Sequence, residues 1–200
     1  MSKLTQLLCL ADLSQEQVTH LLDLALEIKR DPDRFSTALK GRSIALLFEK
    51  PSLRTRVSFD VGIHKLGGHS VYLDQQNGAL GVRESVEDFG SNLACWTDAI
   101  VARVYSQKTL VQLAQSSKKP VINALSDLYH PCQALADLLT LKEQYDDLSK
   151  VHLAFVGDGN NVCHSLMLGA AILGMTLTVV TPQGFGPDAH VLLKAQALAE

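Results

Sequence analysis

Short, uniformly apolar blocks alternate with longer stretches in which apolar residues recur every third or fourth position. At 14–29, Val18, Leu21, Leu22, Ala25, Leu26 and Ile28 fall on one helical face behind a capping Ser14, which predicts an amphipathic helix. Apolar runs at 43–48, 70–73, 99–104, 120–124, 151–156 and 176–181 predict strands. The intervals 53–66, 84–95, 108–116, 131–145 and 161–173 predict helices, and 187–200 reads as one more. Short apolar strands alternating with helices are the pattern of an α/β fold, a parallel sheet covered on both faces. The polar break at 146–150 is the one interval wide enough for a hinge, giving an expected first domain at 1–147 and a second at 148–200. The second holds two predicted strands, too little sheet to bury a core alone. No internal repeat interrupts the alternation.

Composition narrows the classes. The 200 residues are 46% hydrophobic and 20% charged, enough to bury a real core, and 18 basic against 21 acidic residues leave a formal charge of -3. This balance points to neither a nucleic-acid nor a membrane surface. Cys9, Cys95, Cys132 and Cys163 form no Cys-x-x-Cys pair and sit mostly among apolar neighbours, as reduced thiols do in the cytoplasm; a zinc site does not fit. His20, His64, His69, His152, His164 and His190 lack ligand spacing and read as surface or internally satisfied histidines. The N-terminus carries no signal pattern and no apolar run approaches membrane-spanning length, so a soluble protein is expected.

In such folds ligands bind beyond the carboxyl ends of the strands, and three strands here end in polar chemistry. After the run at 43–48 comes Ser52-Leu53-Arg54-Thr55-Arg56 at the start of a predicted helix. Two arginines, with Lys50 upstream, crowd a helix end that already carries partial positive charge, which is unfavourable unless an anion binds there. Free backbone N–H groups and the hydroxyls of Ser52 and Thr55 make phosphate the ready ligand. The plainer alternative is a Ser52 N-cap with solvated arginines. Arg103 closes the strand at 99–104 and needs either a carboxylate such as Asp98 or a ligand. His130-Pro131-Cys132-Gln133 follows the strand at 120–124; Pro131 suits the first helical position, putting His130 at the cap and Gln133 a turn later on the same side. A capping histidine and a surface glutamine are the alternative there.

Ser-x-Arg-Thr-Arg, a strand-end arginine and His-Pro-x-Gln, in this order and spacing, resemble the aspartate/ornithine carbamoyltransferase family. Phe48-Glu49-Lys50, residues 125–129 (Leu-Ser-Asp-Leu-Tyr) and residues 157–161 (Gly-Asp-Gly-Asn-Asn) resemble its ornithine branch. The resemblance implies a three-layer carbamoyl phosphate domain at 1–147, the start of a Rossmann-like amino-acid domain at 148–200, a cytoplasmic homotrimer, and no cofactor or metal. It implies transfer of a carbamoyl group from carbamoyl phosphate to L-ornithine. Ser52, Leu53, Arg54 and Thr55 would hold the phosphate; Arg103, His130 and Gln133 would surround the carbamoyl end, with Arg54, Arg103 and His130 catalytic; Asn161 would contact ornithine.

Some positions depart from the family pattern. Leu53 stands where many members have threonine, which matters little if the contact is its backbone N–H. Ala79 stands where many bacterial members have a glutamine that reaches carbamoyl phosphate, and Gln75 and Gln76 do not align with it. The acceptor loops of the family, an Asp with Ser-Met-Gly and a His-Cys-Leu-Pro segment, do not occur, so the chain reads as an N-terminal portion with little activity of its own. A carbamoyl phosphate-binding module without turnover, and putrescine or aspartate as acceptor, are the alternatives within the family. Outside it, the Gly-Asp-Gly after a strand mimics a dinucleotide fingerprint, without the third glycine or a ribose-binding acid.

Overall fold

The computed structural model describes residues 4–74 and 80–200. The α/β architecture with parallel sheets expected from the sequence is present, divided between two compact units that are not contiguous in sequence. One comprises Leu4–Leu8 and Glu27–Asp127, the other Cys9–Leu26 and Leu128–Glu200.

The first unit is a four-stranded parallel sheet in the order β2-β1-β3-β4, from β1 (Ser43–Phe48), β2 (His69–Leu73), β3 (Ala99–Arg103) and β4 (Val121–Leu125). Its helices are α2 (Leu53–Lys65), α3 (Val86–Leu93) and α4 (Gln107–Ser117). Alternation along β1 sends Ala45 and Leu47 into a cluster with Leu93, Leu110 and Leu113 of α3 and α4. Ile44, Leu46 and Phe48 enter the opposite cluster with Ile63 of α2. Both faces are therefore covered, which is why β1 reads as an unbroken apolar run. Each large side chain buried there contributes about 1.5–3 kcal/mol. The free edge of β4 is covered by the N-terminal segment, where Leu7 donates to Val121 O at 2.9 Å and accepts from Asn123 N at 2.8 Å.

The second unit is built around α6 (Asn161–Ile172), which is buried on nearly every side from Cys163 to Ala170. A helix apolar around its whole circumference belongs inside. β5 (His152–Val156) and β6 (Thr176–Val180) pair in parallel; α5 (Pro131–Lys142), α7 (Ala189–Ala199) and the 3-10 turn Leu10–Asp12 lie against α6. Gly169 allows this approach, since a Cβ there would stand 2.8 Å from Leu138 Cδ1 and 3.2 Å from Leu10 Cδ1. α1 (Gln15–Arg30) starts with a capping box: Ser14 Oγ accepts from Gln17 N at 3.2 Å and Gln17 Oε1 from Ser14 N at 2.9 Å. α5, which lies within the expected first domain at 1–147, packs against α6 in this unit. The polar break contains a 3-10 turn, Leu148–Lys150, that Asp147 caps through Ser149 N at 3.1 Å.

The loop resembling a dinucleotide fingerprint is closed on itself. Asn160 Oδ1 accepts from Val162 N at 3.0 Å and Cys163 N at 3.2 Å, taking donors that a pyrophosphate would need. Gly159 admits the returning chain: its N–H donates to Phe185 O at 2.8 Å, and a Cβ would lie 2.3 Å from Pro187 N and 2.4 Å from Gly186 C. Backbone cannot rotate away as a side chain can. Gly159→Ala is therefore expected to lower stability by about 1–3 kcal/mol. Gly186→Ala, whose Cβ meets nothing within 4 Å, should stay within about 0.5 kcal/mol of the parent. Urea titrations of the two variants check this, and equal midpoints would remove the close approach as the reason for the glycine.

Candidate functional site

In the first unit, sheet register brings two of the sequence motifs together. Phe48 pairs with Arg103 across β1 and β3, so both strands end at one level. The β3–β4 ladder shifts register between Ala102 and Arg103, a bulge that re-aims the strand end. Glu49, itself buried, locks the junction: its N–H donates to Arg103 O at 2.9 Å and its Oε2 accepts from Tyr105 N at 3.0 Å.

α2 begins directly beyond this junction. Ser52 is its N-cap, extended at φ −160 and ψ 110; its Oγ accepts from Thr55 N at 3.4 Å and lies 2.9 Å from Thr55 Oγ1. Arg103 Nη1 donates to Thr55 Oγ1 at 3.5 Å, a long contact that joins the strand-end arginine to the helix cap. The first turn holds no acidic residue to balance the helix dipole. Arg54 and Lys50 are exposed and enter no ion pair among the described residues. Arg56 lies over the Tyr72 ring, 3.7 Å from its centroid, and so has a structural partner. Leu53 is 78% exposed.

Arg103 is not the partner of Asp98. That carboxylate sits at the opposite strand end, paired with Arg42 Nη1 at 2.7 Å and accepting from Ser43 N at 2.9 Å. Arg103 Nε is buried without a hydrogen-bond partner among the described residues. Desolvation holds its pKa below the ordinary guanidinium value, although arginine stays charged at any physiological pH. A donor so placed, beside a helix N-terminus without a counter-charge, forms a site able to receive an anionic, carbonyl-bearing molecule.

His130, Gln133 and Asn161 belong to the second unit. His130 occupies the N-cap of α5 with Pro131 next, yet its side chain makes no cap bond; its backbone N–H donates to Ser165 Oγ at 2.8 Å. Gln133 is exposed, and its Nε2 donates to Asp137 Oδ1 at 2.9 Å one turn along α5. Asn161 is the first residue of α6, while Asn160 does the capping. Desolvation pushes the Cys132 and Cys163 thiols well above their ordinary range, to about 12 and about 11, which keeps them un-ionised and unreactive at neutral pH. Gln75, Gln76 and Ala79 lie outside the described residues. Among the described residues no group of His, Cys, Asp or Glu could hold a metal ion, and no helix is long and apolar enough to cross a membrane.

Comparison with known proteins places this geometry. Residues 5–143 match the carbamoyl-P binding domain of the aspartate/ornithine carbamoyltransferases, and residues 149–200 match their Asp/Orn binding domain. The chain belongs to the aspartate/ornithine carbamoyltransferase family. The ornithine carbamoyltransferase of Vibrio sp. (strain 2693) is 60% identical over 194 residues, covering 97% of this chain and 64% of that protein. That of Shewanella oneidensis is 62% identical over 192 residues, covering 96% and 64%. The solved structure from Thermus thermophilus superposes with a TM-score of 0.91 at 46% identity, over 98% of this chain and 68% of that one. The structure from Pyrococcus furiosus gives 0.93 at 42%, over 98% and 63%. The chain thus spans 64% of the length of the first two relatives.

Three residues of this carbamoyltransferase family member have roles that sequence reasoning did not assign. Glu49 follows an apolar strand directly, an abrupt charge that could have marked it. Asn160 carries the Asx signal of an N-cap. Ser165 gave no signal, because its partner is a backbone amide 35 positions away.

Stability separates the two kinds of residue at the anion site. Ser52→Ala is expected to cost about 1 kcal/mol through the lost cap. Arg103→Met removes a partly desolvated charge with an unpaired nitrogen and is expected to keep or raise the denaturation midpoint. Chemical denaturation of both variants checks this; a drop of about 2 kcal/mol for Arg103→Met would make the arginine a structural group.

Proposed function

We propose that this chain carries the carbamoyl phosphate site of an ornithine carbamoyltransferase, which moves the carbamoyl group of carbamoyl phosphate onto the side-chain amine of L-ornithine to give L-citrulline and phosphate. This is a step of the arginine-biosynthesis or urea-cycle type. The observation that carries the reading is the Ser52-capped start of α2, with no acid in its first turn, an exposed Arg54, and a Thr55 contacted by the half-buried Arg103. The names of relatives 60–62% identical support ornithine as acceptor. Putrescine and aspartate are the acceptors it has to be tested against.

Roles follow from charge. Ser52, Thr55 and the first-turn N–H groups of Leu53 and Arg54 would hold the phosphate, with Arg54 adding a charge-assisted contact. Arg103, His130 and Gln133 would donate to the carbamoyl oxygen. As the amine nitrogen attacks the carbonyl carbon, negative charge builds on that oxygen, and preorganised donors stabilise it. The C–O bond to phosphate then breaks, the phosphate departs with the electron pair, and the amine loses a proton. Orienting two small substrates supplies much of the remaining acceleration, with no cofactor or metal in this scheme. Asn161 would contact ornithine. Assembly as a homotrimer and residence in the cytoplasm complete the reading; both rest on the family resemblance.

For residues 1–200 on their own we infer binding without turnover. In β5 and β6 one sheet face is open, Val156 being 77% exposed, and Asn161 is the single acceptor residue assigned. Calorimetry is expected to show carbamoyl phosphate bound by the parent and weakened by Arg54→Ala by about 1.5–3 kcal/mol, without loss of thermal stability because Arg54 is exposed. Unchanged affinity would refute the anion site. A colorimetric citrulline assay on the same protein with L-ornithine is expected to stay at background; turnover of about 1–1000 per second would place a complete acceptor site within these residues.

A further inference from the structure

The segment Leu128, Tyr129, His130 joins β4 to α5 and is neither strand nor helix, so its backbone polar groups need partners from outside a ladder. Two consecutive side chains of α6 supply them. His164 Nδ1 lies 2.9 Å from Leu128 O, and Ser165 Oγ accepts from His130 N at 2.8 Å. Both are deeply buried, at 5% and 1% exposure, in a helix otherwise lined with Cys163, Leu166, Met167 and Leu168. Polar side chains in such a place are costly unless bonded, and here their bonds converge on one three-residue segment.

The chemistry of the partners fixes the state of the imidazole. A carbonyl can accept but not donate, so Nδ1 carries the proton. On the other side Asp188 N, a donor, lies 2.9 Å from Nε2, which must therefore be unprotonated. His164 is a neutral, oriented spacer between Leu128 and the cap residue of α7. The His130 amide, moreover, is not one of the helix donors of α5: it belongs to the N-cap residue itself, whose ring takes no part in capping. Fixing that amide does little for the helix and much for where the His130 side chain starts.

We propose that His164 and Ser165 are positioning residues that set the backbone of His130, and that α6, which begins at Asn161, thereby holds the carbamoyl-contacting and ornithine-contacting residues in one rigid piece. The proposal rests on the reading above, in which His130 meets the carbamoyl oxygen while Ser52, Arg54 and Thr55 meet the phosphate.

The test compares carbamoyl phosphate with inorganic phosphate by calorimetry on the full 200-residue chain, alongside amide hydrogen exchange at His130 by NMR. Ser165→Ala is expected to speed His130 exchange and weaken carbamoyl phosphate about tenfold while leaving inorganic phosphate unchanged. His164→Asn places an amide nitrogen where Nδ1 was and should retain carbamoyl phosphate affinity. His164→Gln places an oxygen where Nε2 was, keeps the Asp188 contact, and should lose affinity as Ser165→Ala does. Should Ser165→Ala fail to fold, the His164 pair decides by the same comparison. Faster exchange with unchanged preference for carbamoyl phosphate, or equal loss for both ligands, overturns the positioning role. A parent protein with no preference for carbamoyl phosphate over phosphate removes the role of His130 and the proposal with it, a failure visible before any variant is made.

Discussion

Parallel pairing of β1 with β3 is the constraint on which the juxtaposition of Arg103 with the start of α2 depends. Hydrogen bonds across that pair set Phe48 against Arg103, and a slip of one residue would turn Arg103 to the other face of the sheet. Register is held by burial on both sides: the same strand feeds alternate residues to two apolar clusters, so no slipped pairing satisfies both. Glu49 then reinforces the strand ends with one backbone and one side-chain bond, and the chain enters α2 four residues later. The placement of Ser52, Thr55 and Arg103 side by side is thus a consequence of where apolar side chains in β1 and β3 had to go.

The second unit solves a different problem with a central helix. α6 is surrounded, so its few polar side chains cannot reach water and instead become fixed connections to Leu128, His130 and Asp188. Bonds of this kind add little net stability individually, about 0.5–1.5 kcal/mol, but leaving one partner unpaired costs more. Their effect is to remove alternatives, since a segment anchored at both Leu128 and His130 leaves little freedom to the backbone that enters α5.

How far the sequence could be read depended on whether each signal was local. β1 and α6 were legible because burial on all sides leaves an apolar run, and α1 because its apolar residues recur on one face behind the Ser14 cap. The helix start at Ser52, with basic and no acidic residues in its first turn, was legible for the same reason: charge set against a helix dipole is visible within one turn. Arg103 was half legible. Its cost as a strand-end charge could be seen, but whether Asp98 or a ligand answered it could not, because Asp98 sits at the other end of β3 and is held by Arg42 and the Ser43 amide. The packing of α5 against α6 was not legible at all; it depends on the space beside Gly169, which no local pattern announces.

Two helix starts in this chain look alike in sequence and differ in what they offer. α6 follows a glycine-rich loop, the usual invitation to a phosphate, but Asn160 takes the amides of Val162 and Cys163, and the returning chain at Gly186 and Pro187 fills the space above Gly159. α2 follows no glycine. Its cap, Ser52, accepts from the Thr55 amide, leaving the amides of Leu53 and Arg54 in a first turn whose Arg54 meets no carboxylate among the described residues. Donors already spent within the protein cannot also hold a ligand. The composition of the loop is therefore a weaker guide to anion binding than whether the cap has satisfied the helix, and by that criterion the start of α2, next to Arg103, is the helix end that keeps donors available.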